Sequence, residues 1–308
     1  MGNYIVHKSV ELTALNKKLQ ADIENHTYLL SPKYDGCHAI FLFDNGVFVG
    51  ARSRTNEVVA SMDHIGAELL TLYPFLQLGK RAICGEAWIP NTEFSEISGI
   101  FRRQYAQPQL CFVPFDATYW RYNQVDDGWP VLGESMDPSF GHQFDGHTYN
   151  ERLGKLHNTT GVPRSKVLPT VCKVLEQGDA IWATAVAEGK RLKALGGYDG
   201  AVLARADGLY HVGAGKGGEF IKVKPLISET VRVNVLLPAL GEKTGKNTLA
   251  LGFELGGKQQ KVSTGLSQEE ADNPDQFLYK IIEVEAMGLT VNGLLREPRF
   301  KGIRTDVL

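Results

Sequence analysis

Short clusters of charged and aromatic residues recur along this chain of 308 residues, and the first of them could supply a nucleophile. The strand-like stretch Tyr28 to Pro32 runs into Lys33-Tyr34-Asp35-Gly36, setting an amine at a strand end beside a carboxylate and a permissive glycine. An amine attacks only when uncharged. For an ordinary lysine, with its pKa near 10.4, reaching that form at pH 7 costs roughly 4.6 kcal/mol. Partial burial and neighbouring cations both lower that cost. Lys222-Val223-Lys224-Pro225 offers the cations, because residues that alternate about a valine share one face of a strand. A Lys-x-Asp-Gly tetrapeptide alone arises by chance in roughly a few per cent of chains this size, so its companions carry the weight.

Those companions follow in order: Ser53-Arg54-Thr55, Gly85-Glu86, Phe115-Asp116, Asp199-Gly200 and, at the end, Arg296-Glu297-Pro298-Arg299-Phe300-Lys301-Gly302-Ile303-Arg304. Glu86 lies within the apolar stretch Ala82 to Ile89, where an unpaired carboxylate is expensive, so it requires a partner. Phe115 closes the apolar run from Leu110; a ring at such a place is more often core than binding surface. Two glycine-rich stretches imitate nucleotide loops. Gly213 to Gly218 joins two strand candidates instead of opening a helix, and Gly241 to Asn247 has one residue too few between its glycines, so both are expected to be turns.

The elements that must position these residues are mostly strands. Cys37 to Phe43, Asp44-Asn45-Gly46 and Val47 to Arg52 read as a hairpin. Further strands are expected at Ala82 to Ile89, Leu110 to Thr118, Gly200 to Ala204, Leu209 to Val212 and Glu219 to Val223, with helices near Ser61 to Leu72 and Asp179 to Leu195. The polar segment between Trp120 and Thr148 suits a surface excursion. After Pro225 short strands recur at Thr230 to Leu236, Thr248 to Leu255, Lys258 to Thr264 and Lys280 to Met287, with a capping box at Ser267 and Glu270. The expected class is α+β: a domain of antiparallel sheets over residues 1–227, then a small OB-type β-barrel over 228–308.

Composition fits that reading. With 43% hydrophobic and 22% charged residues the chain is an ordinary globular protein, and no apolar run approaches the roughly 20 residues of a membrane span, so a cytoplasmic protein without membrane contact is expected. Gly2 does not make an acylation signal, because Val6 stands where Ser or Thr is needed. Cys37, Cys84, Cys111 and Cys172 are scattered, which suggests neither zinc nor a disulfide framework. The net charge of -2 excludes a protein that coats nucleic acid through a global positive field. Any such surface must be local, as among Lys190 to Lys224 and in the tail; Lys190 to Lys193, at a helix end, read as solvated charge.

From residue 31 onward the ordered clusters resemble the motifs of the covalent nucleotidyltransferases, the superfamily of DNA ligases, RNA ligases and mRNA-capping enzymes. The tail resembles the last motif of ATP-dependent DNA ligases, and the short length is similar to the small enzymes of bacteriophages. The resemblance implies that Lys33 takes AMP from ATP, passes it to the 5'-phosphate of a nick in duplex DNA, and that the 3'-hydroxyl then displaces it, with magnesium required. It implies ATP contacts from Ser31, Lys33, His38, Arg54, Glu86 (ribose), Phe115 (adenine), Asp199, Lys222, Lys224, Arg296 and Arg304. Asp306 joins the last of these. Catalysis would rest on Lys33, Asp35, Lys222 and Lys224, the metal on Asp199 and Asp35, and DNA on Arg54, Arg299 and Lys301. Asp199 stands where the family has Glu, shortening its reach by about 1.5 Å and favouring a water between it and the metal. His38 stands where DNA ligases place an arginine. A monomer serving DNA replication, repair or recombination is implied, in a host cytoplasm if the source is a phage. An RNA ligase, a capping guanylyltransferase and a non-catalytic nucleic-acid binder are the alternatives.

Overall fold

The computed structural model describes residues 6–12, 15–122, 130–132, 147–211, 213–214, 218–240, 247–290 and 292–306. It divides into two compact units, Met1–Lys224 and Pro225–Leu308. In chain order the first holds β1 (His7–Lys8), β2 (Val10–Glu11), α1 (Lys17–Asp22), β3 (Tyr28–Tyr34), β4 (Cys37–Asp44), β5 (Val47–Ser53), α2 (Gly66–Leu72), β6 (Lys80–Trp88), α3 (Phe94–Phe101), β7 (Cys111–Tyr122), β8 (Pro130–Leu132), α4 (Tyr149–His157), β9 (Lys173–Leu175), α5 (Ile181–Leu195), β10 (Tyr198–Arg205), β11 (Gly213–Ala214) and β12 (Phe220–Val223).

Two five-stranded sheets dominate this unit, one ordered β2-β12-β10-β3-β9 and the other β5-β4-β6-β7-β8. Every neighbouring pair within them is antiparallel except β2 with β12. The side-chain period of two explains how they stack. Along β4, Ala39, Phe41 and Phe43 enter a core shared with Leu29 and Ala204 of the other sheet, while Ile40 and Leu42 face a second cluster with Trp120. Along β3, Leu29 enters the shared core, and Tyr28 and Leu30 face the opposite way, where Ile181, Ala185 and Leu192 of α5 cover the sheet. The first turn of α5 is held by Glu24, whose carboxylate accepts from the Ile181 and Trp182 N–H groups at 2.8 Å each, negative charge where a helix start favours it.

The hairpin turns at Asn45 and Gly46, both at positive φ (48° and 78°), the turn that Asn-Gly favours between twisted strands. The Ser61 to Leu72 helix is α-helical only from Gly66; Ala60–Ile65 is a tighter 3-10 stretch. Leu209 to His211 forms no strand. Tyr210 turns inward there, where its hydroxyl accepts the His7 N–H at 3.4 Å, and the next strand is the two-residue β11. Most of the expected excursion, 123–129 and 133–146, lies outside the described residues, as do 215–217 and 241–246 of the two glycine-rich stretches.

The second unit holds β13 (Ile227–Leu240), β14 (Asn247–Leu255), β15 (Lys258–Val262), α6 (Gln268–Asp272), β16 (Ile281–Ala286) and β17 (Arg299–Ile303). One antiparallel sheet runs β15-β14-β13-β16-β17, with β13 pairing to β16 through its first half and to β14 through its second. Val233, Leu251, Phe253, Val262, Ile282, Val284 and Phe300 form its core. Among the described residues the ladder does not close on itself, so the architecture observed is mixed α+β with antiparallel sheets, without the closed barrel expected. The capping box is present: Ser267 Oγ accepts the Glu270 N–H and the Glu270 carboxylate accepts the Ser267 N–H. No described helix is long and apolar enough to cross a membrane.

Candidate active site

Lys33 occupies the next-to-last position of β3, on the strand face that carries Leu29 into the core between the sheets, and Ser31 shares that face. Its Nζ lies 3.2 Å from Asp199 Oδ2. A β-bulge makes this approach: Tyr198 pairs with Tyr34 and Gly200 with Lys33, leaving Asp199 as the extra residue of β10. Lys224 Nζ reaches the same oxygen at 2.8 Å, and Lys193 Nζ lies 3.6 Å from the other. The Asp199 side chain is only 4% exposed. Burial pushes its carboxyl up, but Lys33 and then Lys224 pull it down further, to about 2. Asp199 Oδ1 is buried and accepts no hydrogen bond among the described residues.

Lys222 is on β12, whose last residue, Val223, faces the α5 core, and Lys224 follows the end of the strand. Lys222 Nζ lies 3.6 Å from a Glu11 carboxylate oxygen, on the strand paired in parallel with β12. Burial holds the Lys222 ammonium below its ordinary range, Glu11 opposes that shift, and Lys224 and Lys33 add to it. Lys33, Lys222 and Lys224 therefore share one electrostatic neighbourhood. Lys193, expected to be solvated, instead reaches inward from the last turn of α5 and belongs to the same group.

Glu86 stands on β6 opposite His38 of β4. Burial raises its carboxyl to about 7, against the pull of Lys33 and of the Gly36 N–H that it accepts. Gly36 is obligatory for this contact, since a Cβ there would lie 2.2 Å from the Ala87 carbonyl oxygen and 2.9 Å from Glu86 Cγ. The His38 and Phe115 rings meet edge-on, 5.4 Å between centroids. Burial and then Arg54 lower the His38 pKa to about 4, so the ring is neutral near pH 7 and lacks the charge of the arginine the family resemblance places there. Phe115 is fixed from behind: its carbonyl accepts the Tyr149 hydroxyl at 2.8 Å, and the next residue, Asp116, receives a two-pronged contact from Arg152 at 2.8 and 3.2 Å. Both partners are almost fully buried.

Tyr34, which follows Lys33 in sequence, forms an aromatic trio with Trp88 and Tyr198, with centroids 5.1 to 6.0 Å apart. The Gly197 carbonyl accepts both the Asp35 N–H (3.1 Å) and Trp88 Nε1–H (3.2 Å), which ties the chain after Lys33 to β6 and to the start of β10. Arg54 is exposed at a tight turn in which Ser53 Oγ accepts the N–H groups of Thr55 and Glu57. Within the second unit, Lys301 pairs with Glu285 at 3.2 Å. Arg299 opposes Glu285 in the ladder, and the Met287 N–H donates to the Arg296 carbonyl at 2.9 Å. The Arg304 fork grips Asp306 through two bonds of 2.7 Å and donates to Thr230 at 3.4 Å.

No protein-family model matches the chain, and no curated protein matches it in sequence. Solved structures do match it. A structure from a study of DNA binding by Lig E DNA ligases is similar at a TM-score of 0.67 and 21% identity, covering 97% of this chain and 98% of that one. One described as Pmar-Lig_Pre is similar at a TM-score of 0.70 and 16% identity, over 99% of this chain and 68% of that one. The ATP-dependent DNA ligase of bacteriophage T7, in complex with ATP, is similar at a TM-score of 0.52 and 14% identity, over 97% and 98%. The chain has the fold of these DNA ligases.

Proposed function

We propose that the chain is an ATP-dependent DNA ligase that carries AMP on Lys33. The observation that supports this most is the convergence on Asp199 of Lys33, Lys193 and Lys224, with Lys222 close by: several ammonium groups face one buried carboxylate, an excess of positive charge suited to polyphosphate. On this reading Lys33 Nζ, once free of its proton, forms a bond to the α-phosphorus of ATP, and the bond to the pyrophosphate breaks. Asp199 holds the Lys33 side chain in place, and Lys224, bound to the same oxygen, shares that carboxylate. Lys222 and Lys224 neutralise the departing phosphates, since transfer of this kind depends mainly on positioning and charge. AMP then moves to the 5'-phosphate of a nick, gripped by Arg54, and the 3'-hydroxyl displaces it with Asp35 alongside. Phe115, flanked by His38, would stack adenine, and Glu86 would accept from the ribose.

Magnesium would supply charge neutralisation on the phosphates. Among the described residues no group of three His, Cys, Asp or Glu side chains could hold an ion by itself. Asp199 Oδ1 accepts no hydrogen bond among the described residues but lies 3.6 Å from Lys193 Nζ, so an ion there would be held mainly by phosphates and water and would have to displace that ammonium, with Asp35 as the second carboxylate. We assign 228–308 as an OB-type barrel bearing Arg296, Arg299, Lys301 and Arg304. The strand order and the Phe300 N–H bond to the Thr264 carbonyl (2.8 Å), which links the β17 and β15 ends of the sheet, support it.

An RNA-joining or capping enzyme of the same superfamily is the nearest rival. Offering ATP or GTP for adduct formation, then nicked DNA or nicked RNA for sealing, separates the three, and activity with GTP alone would defeat the ligase reading. A monomer with few phosphate contacts should also bind nicked DNA weakly, losing on the order of a hundredfold between 50 and 200 mM salt for about four contacts.

A further inference from the structure

β2, one of the first strands of the chain, adds to the sheet beside β12 in parallel register, Val10 opposite Ile221 and Glu11 opposite Lys222. That register places the Glu11 carboxylate 3.6 Å from Lys222 Nζ, with the two side chains only 25% and 22% exposed. Lys222 needs such a partner. Its other charged neighbours include Lys224 and Lys33, which repel it, while Lys33, Lys193 and Lys224 already share Asp199. A partly buried ammonium beside two others, with no anion of its own, would swing toward water and leave the face it shares with Lys224.

We infer that Glu11 is a positioning residue: it holds the Lys222 ammonium on the phosphate-facing side of the site before nucleotide arrives. The inference rests on the adenylyl-transfer reading given above for the consequence, and on the strand register for the geometry. A carboxylate beside a phosphate site repels phosphate in general, so simple charge removal would tighten nucleotide binding. A positioning role differs in the rate: it predicts slower chemistry without a higher KM, whereas charge removal alone leaves the rate of chemistry intact.

The test is a double-substitution cycle on the full chain. Single-turnover formation of the AMP adduct is measured for the parent, Glu11→Gln, Lys222→Ala and the double variant, alongside thermal unfolding of each. Glu11→Gln is expected to slow adduct formation about fivefold with KM for ATP unchanged or lower, and to have no further effect once Lys222 is Ala. Glu11→Asp should recover part of the rate. An undiminished rate in Glu11→Gln, or a loss of the same size in the Lys222→Ala background, would overturn the inference. Acetylation of Lys222 by acetic anhydride, read by mass spectrometry without nucleotide, tests the pairing independently of any activity. Labelling several times higher in Glu11→Gln than in the parent is expected, and equal labelling refutes the pairing. Should the parent form no adduct, the ligase reading fails while this labelling result still decides the role of Glu11.

Discussion

Asp199 has no partner residue across the neighbouring strand, and for that reason its carboxylate comes within 3.2 Å of Lys33 Nζ. A regular ladder would have alternated it away; the extra residue of the bulge turns it back. The aspartate stands where the family resemblance implies glutamate, and the bulge brings the shorter side chain to the lysine group.

The charge of Asp199 should therefore stabilise the fold. Its carboxyl lies near 2 in the folded chain and near 3.8 in the unfolded one, so the contribution is present above the unfolded value and is lost as pH falls through the folded one. Asp199→Asn is expected to cost about 2 kcal/mol at pH 7. In urea titrations the gap between parent and variant should narrow from about pH 4 downward; a gap that stays constant with pH would contradict it.

Glu86 carries the opposite sign. With its folded value raised to about 7 from 4.5, it stabilises fully below the unfolded value and less as pH rises through the folded one. Glu86→Gln should make the chain more stable than the parent at pH 8, by about 2 kcal/mol, with the advantage gone below about pH 4.5. Adduct formation should fall in the same variant if Glu86 accepts from the ribose as proposed. Equal stability of the two proteins at pH 8 would show that burial of the Glu86 carboxylate carries no such cost.

Gly36→Ala tests the close approach behind Lys33. The added methyl would meet the Ala87 backbone at 2.2 Å, which flexible side chains cannot relieve. A loss of about 2 kcal/mol in thermal or urea unfolding is expected, together with displacement of Glu86 and a fall in adduct formation. A parent-like unfolding midpoint would contradict the geometry.

Arg152→Ala leaves Asp116 buried without its two-pronged partner and removes donors to the His147 and Gly208 carbonyls. The expected cost is about 4 kcal/mol. Calorimetry should place its unfolding well below that of Arg191→Ala, whose pairing with Glu188 lies on an exposed helix face. Similar midpoints for the two variants would sink the claim.

The site was legible where its residues sit on strands. Lys33 follows a buried apolar run on β3, Glu86 interrupts one on β6, Phe115 ends one on β7, and Lys222 and Lys224 flank Val223 at the end of β12, so the residue order alone marks these positions. What stayed hidden depends on partners distant in sequence. The separation of Glu11 from Lys222, and of Asp116 from Arg152, leaves no local pattern. Lys193 looked like an ordinary lysine at a helix end, and only the bulge at Asp199 gives it a target. The α4 start could have been found, because Thr148 and Glu151 form a capping box with the required spacing. Leu209 and Tyr210 suggested a strand by composition, but the tyrosine sits half-buried in an irregular segment, packed beside Trp120, where its hydroxyl accepts the His7 N–H.

The central claim is that one amine becomes bonded to a nucleotide. Intact-mass spectrometry of the full chain before and after incubation with ATP and magnesium, followed by peptide mapping, tests it directly. The account predicts the added mass of one AMP, located on Lys33, removed by excess pyrophosphate and absent from Lys33→Ala. An AMP adduct on the Lys33→Ala chain, or no adduct on a parent that still binds nicked DNA, would contradict it.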